Sequence, residues 1–167
     1  IFVADGYGNR RIIVFDATTG AYKRHWGAYG KPPSDEKQPP YDPNGPAPQQ
    51  FANPVHCVKL ANDGLLYVCD RINARIQVFR KDGTFVKEVQ IAPRTLGSGV
   101  TFDIAFSPDK AQRLMYVADG GNNRVWQLLR ESMTVLDHIG DGGRYAGQFY
   151  GVHNVSLDSQ GNMYTVE

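Results

Sequence analysis

Short stretches of alternating apolar and polar residues recur along the whole chain, and each ends in an acidic residue. Four copies share one form, an apolar pair, a β-branched residue, a small apolar residue and an acid, at 1–5, 66–70, 115–119 and 163–167. Such alternation predicts short β-strands. The first three copies continue with an asparagine and an arginine before a second apolar stretch, at Asn9 and Arg11, Asn73 and Arg75, and Asn122 and Arg124.

A further apolar stretch precedes three of these strands and ends in a turn. The turns are Asn62-Asp63-Gly64, Ser107-Pro108-Asp109 and Ser159-Gln160-Gly161. Each unit therefore predicts four antiparallel strands, with an Asp-x-x-Asn-x-Arg loop between the second and the third. Asp70 and Asp119 are 49 residues apart, and Asp119 and Glu167 are 48 apart. This period is typical of β-propeller blades, so we predict an all-β propeller with about three four-stranded blades.

The first spacing, from Asp5 to Asp70, is longer, at 65 residues. Prolines are concentrated in 31–49, and because they cannot pair in a sheet this stretch predicts a surface loop. We expect a single propeller segment with a part blade at 1–30, blades at 51–91 and 101–140, and a part blade at 147–167. Three periods amount to half of a six-bladed ring. The chain is then either a piece of a longer propeller, which we favour, or one half of a homodimer that closes a ring.

Composition narrows the function classes. Eighteen basic and seventeen acidic side chains give a formal charge of +1, so no overall field attracts nucleic acid or an anionic membrane surface. No apolar run approaches the roughly 20 residues that span a bilayer.

We interpret the loop asparagines and arginines as fold markers: the asparagine tolerates left-handed backbone and bonds its own turn, and the arginine ties the loop to a neighbouring blade.

The two cysteines fall on consecutive predicted strands. If Leu60 pairs with Leu66, the same register places Cys57 opposite Cys69. Both a cross-strand disulfide and two packed thiols fit this position, and the packed thiols are favoured.

Alignment of the blades on the turn after the first strand places His56, Phe102 and His153 at one position. The first strand of a propeller blade is the innermost, so these residues face the central channel. Histidines from alternate blades of a six-bladed ring suit a zinc ion held by three imidazoles with an open fourth position. The alternative is that each histidine bonds water or a carbonyl. His25 and His138 also recur, but near the outer strand, and we interpret them as surface residues.

The segments 1–12, 26–27 and 50–56 resemble the lyase domain of peptidylglycine α-amidating enzymes, a six-bladed propeller of NHL type. The resemblance continues through 67–79, Phe102, and 148–153, which is nearly the whole chain. It implies a catalytic zinc held by three histidines, two of which match His56 and His153, and a tyrosine acting at the substrate hydroxyl, which matches Tyr7. The third histidine and the catalytic arginine of the family would lie in blades before this segment.

The resemblance implies a zinc-dependent lyase that cleaves the C–N bond of a carbinolamide peptide, with Tyr7 as base and a secreted or periplasmic location. The family's structural calcium is in doubt, because the aspartate that helps to bind it is here the neutral Asn154. Many bacterial NHL proteins share these motifs with no known amidating role, so the alternative is a non-catalytic propeller that binds a peptide, glycan or protein at the channel mouth and the proline-rich loop.

Overall fold

The structure, a computed structural model, describes all residues from 1 to 167. Apart from a 3-10 turn at Ala28–Gly30, every regular element is a β-strand. The strands are β1 (Phe2–Asp5), β2 (Arg11–Phe15), β3 (Tyr22–Trp26), β4 (Val55–Leu60), β5 (Leu66–Asp70), β6 (Arg75–Phe79), β7 (Phe85–Gln90), β8 (Asp103–Phe106), β9 (Leu114–Asp119), β10 (Arg124–Leu129), β11 (Val135–Ile139), β12 (Asp141–Gly142), β13 (Gln148–Phe149), β14 (Asn154–Leu157) and β15 (Met163–Val166).

The strands form successive antiparallel sheets in chain order. Two sheets have four strands, β4-β5-β6-β7 and β8-β9-β10-β11, with the three-stranded β1-β2-β3 before them and the two-stranded β14-β15 after them. The short β12 and β13 pair in parallel. The inner strands β4, β8 and β14 contact each other in turn. The prediction of an all-β propeller with about three blades is therefore confirmed.

The core lies between the blades. Strand β5 is buried along its whole length because it is covered on both sides. Leu66 and Val68 belong to the cluster shared with the first sheet, whereas Tyr67 and Cys69 belong to the cluster shared with the β8–β11 sheet. Alternate side chains of one strand thus join it to two different neighbours. A third cluster joins β8–β11 to β14-β15.

The acid that ends each second strand anchors the following loop. One oxygen of Asp70 accepts hydrogen bonds from Asn73 and from the guanidinium of Arg75, both at 2.8 Å. Asp5 receives the equivalent pair of bonds from its own asparagine and arginine, at 3.0 and 2.9 Å. In the next blade the Trp126 indole replaces the arginine and donates to Asp119 at 2.7 Å.

The interpretation of these loop residues is half correct. The asparagines do bond their own turn, but left-handed backbone occurs at the residue that follows each of them, Arg10, Ala74 and Asn123, with φ of 52°, 50° and 57°. The asparagine side chain must reach back to the acid, and the next residue makes the bend into the third strand. Arg75 also reaches the preceding blade, where it donates to the Tyr29 hydroxyl at 2.8 Å.

The favoured interpretation of the cysteines is wrong. The predicted register is confirmed, since Leu60 pairs with Leu66 and Cys57 with Cys69, but the two cysteines form a disulfide. Their Cα atoms are 4.8 Å apart, within the range that a disulfide spans.

Residues 31–49 contain no strand and are mostly exposed. The structure has no helix of the length and apolar character that would cross a membrane. The two partial sheets bear on the predicted homodimer, because β1 and β15 both occupy the second position of a blade. Joining β1–β3 of one copy to β14–β15 of another would give a five-stranded blade, so closure requires one strand to leave its sheet. The homodimer stays a prediction.

Candidate active site

Three rings meet at the inner ends of neighbouring blades. The ring centroids of His56 and His153 are 4.9 Å apart, and Phe102 lies 5.5 Å from the first and 5.3 Å from the second. The register explains why. Phe102 and His153 directly precede β8 and β14, and their N–H groups donate to the same position of the partner strand, at Ala118 and Val166.

His56 reaches this position through an irregularity in its strand. Val55 pairs with Asp70 and Cys57 with Cys69, so His56 is an extra residue with no partner of its own. This is a β-bulge, a feature that redirects a side chain and is frequent beside active sites. The bulge therefore places His56 beside His153 although the two lie on different blades.

Hydrogen bonds fix the proton positions on both imidazoles. The Nδ1 atom of His56 lies 2.6 Å from the carbonyl oxygen of Phe102, and Nδ1 of His153 lies 3.0 Å from the side-chain oxygen of Asn154. Because both oxygens accept, each Nδ1 donates, and Nε2 is the nitrogen that carries the lone pair in the neutral ring. Two neutral imidazoles with free Nε2 atoms are suited to hold a metal ion.

Burial lowers the pKa of His56. The positive charge of Arg71 and the neighbouring His153 add to this effect, and the hydrogen bond to Phe102 opposes it. A lowered pKa keeps the ring neutral near pH 7, the form that binds metal.

Tyr7 enters the same region from the loop of the first sheet. Its ring lies 6.0 Å from that of His56, and its side chain is 75% exposed. The loop can approach so closely because the preceding residue is Gly6, where a Cβ atom would lie only 1.9 Å from the carbonyl oxygen of Val55. The sequence-predicted residues Tyr7, His56 and His153 are thus brought together.

Arg71 is the residue that sequence reasoning missed. Its Nη1 donates to the Tyr7 hydroxyl at 3.2 Å, and its guanidinium lies over the Phe102 ring at 4.7 Å. Its buried Nε has no hydrogen-bond partner. The signal was its position directly after Asp70, where the other two loops have Gly6 and Gly120. A long cationic side chain stands here where each of the other two loops has a glycine, and this departure from the repeat marks Arg71.

A polar chain continues from His153 along the inner wall. Asn154 accepts from His153 and lies 3.4 Å from the carboxylate of Asp103. Asp103 is nearly buried and pairs with the Lys59 ammonium at 3.0 Å. The side-chain oxygen of Asn154 is therefore already the acceptor for Nδ1 of His153.

The other histidines lie elsewhere. His25 is exposed on β3 and bonds the Tyr22 hydroxyl, whereas His138 is partly buried on β11 against Trp126. No group of three or more His, Cys, Asp or Glu side chains is placed to hold one metal ion. His56 and His153 are therefore two potential ligands without a third beside them.

No protein-family model matches the chain. Similarity to curated proteins is to peptidylglycine α-amidating monooxygenases. Monooxygenase B of Xenopus laevis is 38% identical over 108 residues, which is 64% of this chain and 11% of that protein. The Rattus norvegicus enzyme is 34% identical over 109 residues, 65% of this chain and 10% of that protein. The chain thus spans about a tenth of the length of these relatives.

Solved structures with the same fold are more distant in sequence. A streptogramin B lyase matches 95% of this chain and 42% of its own with a TM-score of 0.61 at 14% identity. A virginiamycin B lyase of Staphylococcus aureus has a TM-score of 0.60 over 96% of this chain and 43% of its own, also at 14% identity. The dihydro-heme d1 dehydrogenase NirN has a TM-score of 0.60 over 99% of this chain and 29% of its own, at 15% identity. The chain has a β-propeller fold and is similar in sequence to peptidylglycine α-amidating monooxygenases over 64–65% of its length.

Proposed function

We propose that the chain carries part of the active site of a zinc-dependent lyase that cleaves the C–N bond of a peptidyl-α-hydroxyglycine. The observation that carries the proposal is the meeting of two imidazoles with free Nε2 atoms beside a tyrosine hydroxyl held by an arginine. The sequence similarity to amidating enzymes supports the same substrate class.

The residues present fit a zinc ion. Neutral imidazole is a preferred zinc ligand, and each ring here donates its other nitrogen to an oxygen, which orients it. A catalytic zinc usually takes three protein ligands, so the proposal requires a third from the far side of the ring. Zinc supplies Lewis-acid polarisation of a substrate oxygen when bound. We assign no calcium to Asn154, because its oxygen already accepts from His153.

Tyr7 would accept the proton of the substrate hydroxyl. As that proton leaves, the C–O bond becomes a carbonyl, the C–N bond breaks, and its electron pair passes to the amide nitrogen. The nitrogen then takes up a proton, so the products are a peptide amide and an aldehyde acid. General-base help of this kind is worth about 10²- to 10⁴-fold in rate.

Arg71 would orient Tyr7 and favour its charged form during this transfer. Its guanidinium donates to the hydroxyl and is itself held over the Phe102 ring, so it cannot swing freely. Its Nε is buried, so the exposed end of the guanidinium, which bonds Tyr7, is the part that the substrate carboxylate can reach.

The test is release of aldehyde acid from an α-hydroxyglycine peptide, in the presence of zinc, by the protein with its six-bladed ring complete. We expect Tyr7→Phe to lower kcat by about a hundredfold or more, since the proton acceptor is lost. Tyr22→Phe is the matched control, because Tyr22 is also exposed but lies on the outer strand β3. Its rate should equal that of the parent chain.

Two results would contradict the proposal. One is the absence of turnover at saturating zinc, which with retained zinc binding would favour the non-catalytic binding propeller. The other is turnover that survives Tyr7→Phe unchanged.

A further inference from the structure

A pocket of about 700 Å³ lies between the proline-rich loop and the loops of the first two sheets. Its lining includes Arg10, Ala47, Asn53 and Ile72. We propose that it binds the peptide chain on the amino-terminal side of the reacting residue. The inference rests on the lyase function proposed above, and it makes the preferred substrate a peptide of several residues rather than a minimal N-acyl hydroxyglycine.

The pocket wall is fixed to the blades. Arg10 donates to the carbonyl oxygens of Ser34 and Glu36 at 2.8 and 3.1 Å. Further along the loop, the Tyr41 hydroxyl donates to the carbonyl of Pro93 at 2.9 Å. Prolines in the loop lower the entropy lost when it is ordered. A wall held in this way costs little additional order when a ligand binds.

The floor depends on the same buried acid that organises the second blade. Asn73 and Arg75 each donate to the Gln50 carbonyl at 3.1 Å, and the Ala52 N–H donates to Asp70 at 2.9 Å. The pocket and the loop that carries Arg71 are therefore parts of one hydrogen-bonded unit.

The pocket begins next to the proposed reacting groups. Ile72 directly follows Arg71, and Arg10 is three residues after Tyr7. Successive Cα atoms are about 3.8 Å apart, so Ile72 lies about 4 Å from Arg71 and Arg10 at most about 11 Å from Tyr7, a distance that a few residues of substrate span. A minimal substrate would leave it empty.

The lining is rich in amide and proline side chains, and its charged members, Arg10, Lys37 and Asp42, include both signs. Four amide side chains line it that can each offer a donor and an acceptor as a peptide group does: Gln38, Gln49, Gln50 and Asn53. Four prolines add apolar contact area. The guanidinium of Arg10 is already bonded to carbonyls, so the substrate carboxylate is better matched by the exposed end of the Arg71 guanidinium beside Tyr7. The volume falls within the range of roughly 300–1,000 Å³ typical of small-ligand sites.

The test fills the pocket and compares two substrates. Ala47 is exposed and lines the pocket, so Ala47→Trp should obstruct it without disturbing the core. We expect KM for an α-hydroxyglycine tetrapeptide to rise about tenfold or more, with KM for N-benzoyl-α-hydroxyglycine and both kcat values unchanged. Ala17→Trp, at an exposed alanine in the turn between β2 and β3, is the matched control and should change neither substrate.

An equal rise in KM for both substrates, or no rise for the tetrapeptide, would overturn the inference. If the parent chain turns over neither substrate, the proposed function fails, and the pocket is then judged by binding of a dansylated alanine tripeptide amide. Binding that Ala47→Trp weakens tenfold while Ala17→Trp leaves it intact supports the pocket. Absent binding, or binding insensitive to Ala47→Trp, refutes it.

Discussion

The buried acid of the second blade offers the sharpest stability prediction. The side chains of Asp70 and Arg75 are 0% and 1% exposed, and one Asp70 oxygen accepts from both Arg75 and Asn73 while the other accepts from Ala52. In Asp70→Asn, an NH₂ group must replace one of these oxygens, so it faces at least one donor. The guanidinium is then left buried with only Glu88, at 3.3 Å, as a charged partner.

Breaking a buried ion pair costs about 3–5 kcal/mol, and the remaining contact with Glu88 places the expected loss near the lower end, about 3 kcal/mol. Asp5→Asn is the matched control, because Asp5 makes the same two bonds but is 29% exposed and its arginine 32%. A pair that open to water is worth about 0–1 kcal/mol. Burial, together with the additional hydrogen bond from Ala52, separates the two variants.

Equilibrium urea unfolding, followed by circular dichroism, measures both free energies. Adding Arg75→Met to Asp70→Asn should recover much of the loss, because no uncompensated charge then remains buried. Equal losses from Asp70→Asn and Asp5→Asn would refute the claim that burial sets the strength of this motif.

Three further predictions concern other parts of the molecule. Reduction of the Cys57–Cys69 disulfide, which links residues 12 positions apart, should lower the free energy of unfolding by about 2–3 kcal/mol, and a double Cys→Ala variant should be insensitive to reductant. Asn154→Ala removes the acceptor for Nδ1 of His153, so zinc affinity measured by calorimetry should fall about tenfold, whereas Asn44→Ala, in the exposed proline-rich loop, should leave it unchanged. Hydrogen bonding by the lysine on β3 and by two backbone N–H groups holds the pKa of Asp16 well below its usual value, so its stabilisation is present above about pH 4 and is lost as the pH falls through the lowered folded pKa. Asp16→Asn should therefore destabilise the chain at pH 6 and progressively less towards pH 2, and a loss that grows on acidification would contradict this.

The repeat period was sufficient to predict the blades and the shared position of His56 and His153. Both histidines precede the glycine of their turn by eight residues, and the strand register preserves that equivalence in space. Local pattern and long-range arrangement agree here, because each blade repeats the same pairing.

What the sequence did not show depends on contacts between blades. Arg71 and Tyr7 are 64 residues apart and meet only because the loops of two blades lie side by side. The carbonyl of Phe102 that orients His56 is a backbone group, which no residue pattern marks. The disulfide depends on the oxidation of two thiols, which strand pairing permits but does not dictate. The proline-rich loop has no period, so the sequence suggested it as a binding surface but did not predict the shape of its pocket.

Zinc titration of the purified chain tests the central claim most directly. We predict one zinc ion bound per closed six-bladed ring by isothermal calorimetry, with binding lost in His56→Ala and in His153→Ala and retained in His25→Ala, whose histidine lies on the outer strand β3. Absence of zinc binding, or binding that survives loss of both His56 and His153, would contradict the account.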